Sequence, residues 1–319
     1  MKNKRILLTG GAGFIGTKIA EQYYLENEIL IYDSFRRNSL RHSEELKHPN
    51  VSIVEGDVLN VNLLEKTFEE FNPTHVIHLA AIAGIDNVIS HPVETLRVNV
   101  LGTVNVLDVA KKYANSIERF IDISTSEVFG SYAFKVEESG NTNLAPVGEA
   151  RWTYSISKLI GEHFVHAYHK EFGLNTVSIR PFNIFGPGQV GEGAIHQFVI
   201  RAIRNEEIQI HGDGDQIRSW CYIDDFIQGL CLCLSNEDAI GKTFNIGNPR
   251  GTITIYMLAD LIVKAAKSDS KIVYVPKNYA DVELRIPNVD RAKEVLEYSP
   301  SIDLYEGILR TIEWYRDNE

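Results

Sequence analysis

A doubly wound α/β fold is what this sequence predicts: a parallel sheet covered by helices on both faces, with a smaller C-terminal lobe. Three observations predict it. Short aliphatic and β-branched runs alternate with amphipathic segments of about ten residues or more through the first half. A glycine-rich turn, TGGAGFIG at 9–16, separates the first such run from the first such segment. After Pro181 the texture changes to loops punctuated by Gly and Pro: FNIFGPGQVGEGA, IHGDGDQ and NIGNPRG.

RILLTG, EILIYD, VSIVEGD, HVIHLAA, RFIDIST and NTVSIRP read as the strands, each a run of buried type ending in a polar or small residue. VETLRVNVLGTVNVLDVAKKYA and TYSISKLIGEHFVHAYHKEF read as long amphipathic helices. No tandem repeat breaks the pattern. Residues 1–180 are therefore expected to form the nucleotide-binding part and 181–319 mainly the substrate lobe, with KTFNIG able to return as a strand of the main sheet.

The chain has 319 residues and 44% hydrophobic content, enough for a sizeable core. Its 32 Lys and Arg face 43 Asp and Glu, a net charge of -11 that repels a polyanionic backbone, so nucleic acid is not an expected partner. Cys221, Cys231 and Cys233 are too few and too clustered for a disulfide framework or a four-ligand zinc site; a reducing cytoplasm is expected. The opening MKNKRILLTGG is too short in apolar residues for a signal core, and no run approaches about 18 apolar residues, so no membrane is expected as a partner either.

In TGGAGFIG, Gly10, Gly13 and Gly16 allow a tight turn and close backbone approach, while Phe14 and Ile15 open a helix whose free N–H groups suit a pyrophosphate. The second strand ends at Asp33, 17 residues beyond Gly16. A carboxylate there accepts hydrogen bonds from a ribose 2'-OH and repels a 2'-phosphate, which favours NAD over NADP. Arg36 and Arg37 follow and are read as adenine-side or solvent residues. Asp57 with Val58, and Leu79, Ala80 and Ala81, come just after the third and fourth strands, where a doubly wound sheet lines its ligand crevice. Asp57 could instead cap the helix that follows it.

Tyr154 and Lys158, at i and i+4, share a helix face. An ammonium beside a phenol stabilises the phenolate and lowers its pKa towards that of a useful general base. STSEVFG, with Thr125, Ser126 and Glu127, precedes them at a strand end. His163, His166 and His169 recur every third residue, but no matching ligands accompany them, so a solvated face is expected and no metal.

These motifs, with RPFNIFGPG at 180–188 and RSWCYIDD at 218–225, resemble the extended short-chain dehydrogenase/reductases, the NAD-dependent nucleotide-sugar epimerases and dehydratases, over nearly the whole chain. The resemblance implies a Rossmann-like fold, a tightly held NAD that is regenerated in each cycle, and a nucleotide-diphosphate sugar as substrate, with a UDP-sugar as the expected form. It also implies a homodimer built on the two long helices. By resemblance, Tyr154 takes the sugar 4-hydroxyl proton, Lys158 holds the nicotinamide ribose, Thr125 bonds the oxygen being oxidised, and Asn183 and Arg218 hold the diphosphate. Arg285 is a further candidate for that last task, against a salt bridge at the surface.

The fate of the 4-keto sugar is set around TSE. Glu127, with ARWTYSISK and RSWCY, resembles the UDP-uronate decarboxylase branch, whereas 4-epimerases of the family carry a small hydroxyl residue at that position. Against it, the loop GQVGEGAIHQF lacks the Arg that meets a carboxylate in that branch, and Glu192 would repel a uronate if it faced the sugar. Decarboxylation, 4-epimerisation and 4,6-dehydration stay open in that order, and an NAD-responsive binding protein is the non-enzyme alternative.

Overall fold

The structure, a computed structural model, describes residues 1–144, 146–277 and 279–318. Seven parallel strands form its central sheet in the spatial order Thr243–Ile246, Thr176–Pro181, Arg119–Ile123, His75–His78, Arg5–Thr9, Glu28–Asp33 and Val51–Glu55. The six runs read as strands all pair here, and KTFNIG returns from the C-terminal part as the seventh, beside Thr176–Pro181. Strand residues alternate between two cores: Ile6 and Leu8 point into one and Leu7 into the other. Burial on both faces is why these strands are aliphatic throughout rather than alternating with polar residues.

From Arg5–Thr9 the chain moves one way to the second and third strands and the other way to the fourth and beyond. The order therefore reverses between Arg5–Thr9 and His75–His78, and the loops at their carboxyl ends part to leave a crevice.

Two helical segments flank that crevice. Thr153–Phe172 is a single helix closed by Gly173 in the left-handed conformation, whose N–H bonds the His169 carbonyl at 3.0 Å. VETLRVNVLGTVNVLDVAKKYA is not one regular helix: Pro92–Leu96 and Gly102–Lys112 are α-helical, and Arg97–Leu101 between them is π-helical. At that widened turn Asn99 faces inward, accepts from Ile82 N at 2.7 Å and donates to Ile82 O at 3.0 Å, fixing the loop after the fourth strand.

A four-stranded sheet stands over the crevice in the order Thr252–Thr254, Ile217–Ser219, Leu284–Pro287 and Tyr132–Val136. It draws one strand from the first half of the chain and sets Arg218 and Arg285 side by side in register. Trp314 and Tyr315 of the last helix meet edge to face, with ring centroids 4.8 Å apart.

Candidate active site

The crevice is a cleft of about 660 Å³ whose wall includes Gly10, Gly13, Phe14, Ile15, Gly16, Asp33, Asp57, Val58, Leu79, Ala80, Ala81, Tyr154 and Lys158, every residue read from the sequence as cofactor-binding. Gly10 has φ +72, and a Cβ on it would lie 2.5 Å from the Ala80 amide nitrogen, so the loops after the first and fourth strands touch only because this residue is glycine. Gly16 is equally constrained, with a Cβ meeting Gly11 Cα at 2.5 Å. Gly13 is different: its added Cβ would meet only the Gly10 carbonyl, at 3.4 Å. It precedes the helix Phe14–Tyr23, which has no side-chain cap, and it leaves that N-terminus open towards the cleft.

Asp33 ends the second strand and is held from two sides, accepting from Phe35 N at 2.7 Å and Ala12 N at 2.9 Å. Burial pushes its pKa up, and the backbone N–H groups of Phe35, Ala12 and Ser34 pull it part of the way back. Its remaining lone pairs suit ribose hydroxyls. Asp57 does not cap the following helix; Asn60 does, accepting from Leu63 N at 3.2 Å, while Asp57 bonds Leu59 N at 2.9 Å. An open helix N-terminus, a glycine cradle and a carboxylate at the strand end together fit a dinucleotide without a 2'-phosphate.

A second cavity of about 320 Å³ opens beside the first across Tyr154. Thr125, Ser126, Glu127, Asn183 and Arg285 line it, and so does Arg151, which the sequence reading used within ARWTYSISK as a mark of the branch but not as a site residue. The turn Ser126–Phe129 places them. Thr125 caps it, accepting from Glu127 N at 3.2 Å, and Gly130 ends it where a Cβ would collide with the Asn143 carbonyl at 2.0 Å.

Glu127 is the centre of an ion cluster. Arg151 grips it with two bonds of 2.7 and 3.2 Å, Ser155 donates at 3.2 Å, and Arg285 stands at 3.6 Å. Burial would raise the Glu127 carboxyl, but Arg151 and Arg285 outweigh it and hold the group at about 2. Burial lowers Arg285 only to about 10, with Glu127 opposing, so it stays cationic. Its Nε and Nη2 have no protein partner. Arg285 is therefore a buried cation on the cavity wall and not a surface ion pair. Arg218 is buried beside it but spends its donors on the Ile217 and Val282 carbonyls, 3.6 Å from Asp281. That leaves Arg218 off the walls of both cavities. Asn183 donates to Ser219 O at 2.8 Å and is held at φ +45.

The Lys158 ammonium donates to Ile123 O at 2.7 Å and faces Asp122 and Glu162. Burial first, and then the Glu127 charge, raise the Tyr154 phenol, while the Thr125 hydroxyl and the Arg37 charge lower it. Arg36 and Arg37 also part company. Both line the cleft, but Arg36 pairs with Glu94, whereas Arg37 donates to Ala83 O at 2.8 Å. Glu192, expected as a threat to a uronate, lines neither cavity and accepts from Asp86 N at 3.3 Å.

Beneath Lys158 runs a buried row of lateral neighbours, Thr9, His78, Asp122 and Ser178. Thr103 spends its only proton on Asn99 O at 2.7 Å, so it must accept from His78 Nε2 at 2.9 Å, and His78 Nδ1 then accepts from Thr9 at 2.7 Å. His78 is thus a neutral imidazole, and burial lowers its pKa to about 3. Ser124 donates to Glu162, which Arg180 grips at 2.7 and 2.9 Å.

Residues 6–247 match the NAD-dependent epimerase/dehydratase family. The chain belongs to this family. UDP-glucuronic acid decarboxylase 1 of Arabidopsis thaliana is 33% identical over 99% of this chain and 71% of its own length. The UDP-N-acetyl-alpha-D-glucosaminuronate decarboxylase of Bacillus cytotoxicus is 30% identical over 99% of both chains. A solved UDP-glucuronic acid 4-epimerase from Bacillus cereus, in complex with UDP-glucuronic acid and NAD, superposes with a TM-score of 0.88 at 27% identity, covering 100% of each chain. As a member of the family this protein is an NAD-dependent nucleotide-sugar enzyme, and the glycine cradle with Asp33 is where its cofactor fits. No group of three or more His, Cys, Asp or Glu suited to a metal ion occurs among the described residues, and none of their helices is long and apolar enough to cross a membrane.

Proposed function

We propose that this enzyme decarboxylates a UDP-uronate after transient oxidation at sugar C4. The observation that carries the reading is the Arg151–Glu127–Arg285 cluster on the wall of the cavity beside Tyr154. The glycine cradle and Asp33 would hold NAD, which when bound would supply reversible hydride exchange at sugar C4 and a positive charge that favours the phenolate. Tyr154 accepts the 4-hydroxyl proton and gives it back, with Thr125 bonding the same oxygen. Lys158, locked by the Ile123 carbonyl, presents its remaining N–H groups to the ribose.

A 4-keto uronate is a β-keto acid. Its C5–carboxylate bond breaks with the electron pair passing into the C4 carbonyl, so CO2 leaves without a base. The enolate left behind takes a proton from water at C5 to restore the 4-ketone. Glu127, held at about 2, is too weak a base for dehydration or for proton abstraction at C5, but that does not matter for CO2 loss. Arg285, on the wall of this cavity, supplies the positive charge that faces the substrate carboxylate. Because Glu127 shares that cation's charge, the carboxylate is admitted without being gripped so tightly that its loss is opposed. This supplies the cation missing from the GQVGEGAIHQF loop.

Asn183 is assigned to the substrate diphosphate. Val93, Leu96, Leu101 and Phe164 are large apolar side chains exposed along the two helical segments flanking the cleft, which supports a homodimer joined there. Three unpaired cysteines suit the cytoplasm.

Mass spectrometry of products formed from NAD and a panel of UDP-uronates and UDP-hexoses tests the reaction. A UDP-pentose lighter by CO2 is expected from a uronate, and Tyr154→Phe should abolish its formation. An isomer of unchanged mass would make the protein an epimerase, and loss of water a dehydratase; either would discard the decarboxylase reading.

A further inference from the structure

Arg37 belongs to the cofactor-binding half of the chain, yet its guanidinium crosses the cleft to the far wall. Its path starts at Asp33, whose carboxylate holds Phe35 N in a turn where Phe35 adopts φ +57. After that left-handed residue both arginines border the cleft, Arg36 neutralised by Glu94 and Arg37 reaching Ala83 O. The Arg37 Nη2 donates to Ala83 O at 2.8 Å, in the loop after the fourth strand.

Three loops make room for it. Gly84 has φ +98, and a Cβ there would lie 2.6 Å from Arg37 Nη2 and 2.7 Å from Glu192 Oε2. Gly191 has φ +96, and its Cβ would come within 3.3 Å of Arg37 Cζ. The side chain is half-buried, lines the larger cavity, and has no carboxylate within ion-pair distance among the described residues. One N–H of its fork is spent on Ala83, so the Nε and Nη1 donors are left for an anion in the cleft.

A dinucleotide pyrophosphate is an anion that suits those donors. The open helix N-terminus after Gly13 supplies backbone N–H groups from one wall, and a guanidinium bridging to the opposite wall closes the other side. We propose that Arg37 is a positioning residue, a latch laid over the NAD pyrophosphate that keeps the cofactor bound between turnovers. It bonds the loop after the fourth strand through Ala83 O and stands against Gly191 of a second loop, so a broken Ala83 bond would open the latch. A cofactor that is oxidised and reduced in place on every cycle gains from such a latch, since early release would strand the half-reacted sugar.

The test is cofactor retention, read independently of turnover. NAD bound per chain after gel filtration and the NAD dissociation rate would be measured for the wild type, Arg37→Ala, Arg37→Lys and Arg41→Ala, together with the affinities for ADP-ribose and for UDP. Arg41 is exposed, turns to His42 and serves as the charge control. Arg37→Ala should release NAD roughly tenfold faster and weaken ADP-ribose by a similar factor, with Arg37→Lys intermediate. UDP affinity and the Arg41→Ala variant should match the wild type. Unchanged NAD dissociation in Arg37→Ala would overturn the latch. So would a loss confined to UDP, which would assign Arg37 to the substrate, or an equal loss in Arg41→Ala, which would make the effect one of net charge. None of these outcomes depends on whether the product is a pentose. An Arg37→Gln variant, which keeps side-chain bulk and a donor for Ala83 O, guards against misfolding and should still lose ADP-ribose affinity.

Discussion

At the scale of single residues, the site is organised by charges that fix one another. Glu127 stays ionised at any working pH because two guanidinium groups outweigh its burial, and the same charge raises the Tyr154 phenol. Glu127→Gln removes a negative charge beside Tyr154, so the phenol pKa falls and the acidic limb of the kcat profile moves to lower pH. The same change frees Arg151 and Arg285 from their shared partner, and kcat should drop by about a hundredfold as the carboxylate contact loses its geometry. A pH–rate series on both proteins checks this; a limb that stays in place would remove Glu127 from the electrostatics of the base. Thr125, Glu127, Tyr154 and Lys158 were legible because each lies in a short motif. Arg151 was visible in ARWTYSISK, but its pairing with Glu127 was not, since that partner lies 24 residues away and only the turn closing at Gly130 brings it into reach. For Arg37 the sequence left an adenine-side and a solvent place open, and the partners that separate it from Arg36, Ala83 O for one and Glu94 for the other, lie 46 and 58 residues away.

At the scale of elements, the six strands and the helix Thr153–Phe172 were readable because buried strands are continuously aliphatic and the helix keeps its period to a glycine stop. The π turn at Arg97–Leu101 leaves no such mark, because widening one turn changes the register of a helix and not its composition. The polar row beneath the catalytic helix was likewise hidden, since His78, Asp122 and Ser178 sit in runs that look like ordinary strand ends. Asp122 in that row is buried, and burial, reinforced by Glu162 against Lys158, raises it to about 6. A carboxyl whose folded pKa lies above its unfolded value costs stability in full above the folded pKa, and the cost vanishes as pH falls below the unfolded value near 4. Asp122→Asn should therefore stabilise the protein at pH 8, by up to about 3 kcal/mol, and change little at pH 4. Activity should move the other way, because Lys158 loses one of the two carboxylates opposing its desolvation. Urea unfolding at the two pH values, beside kcat at pH 8, decides the matter; equal stability changes at both would show that the ionisation is not what the fold resists.

At the scale of the whole molecule, one helix serves two surfaces. The inner face of Thr153–Phe172 carries Tyr154, Lys158 and Glu162 into the sheet, while Phe164 points outward and is 36% exposed. Leu101, on the neighbouring segment, is 51% exposed, and the two segments pack side by side. Apolar side chains of this size left in water on adjoining helices are a burden on a monomer and an asset to a twofold contact, in which each helix pair meets its own copy. If the proposed dimer forms there, the catalytic helix is braced from outside by its partner, and the separation of chains should disturb catalysis before it disturbs cofactor binding. Leu101→Glu with Phe164→Glu places four like charges at a contact of two copies. Sedimentation should then change from twice the chain mass of 36.0 kDa to that mass alone. NAD bound per chain should hold, because the substitutions leave the inner face untouched, while kcat falls as the helix loses its brace. A wild-type protein that sediments as a single chain, or a double variant that still pairs, would put the contact elsewhere and leave those side chains as ordinary exposed surface.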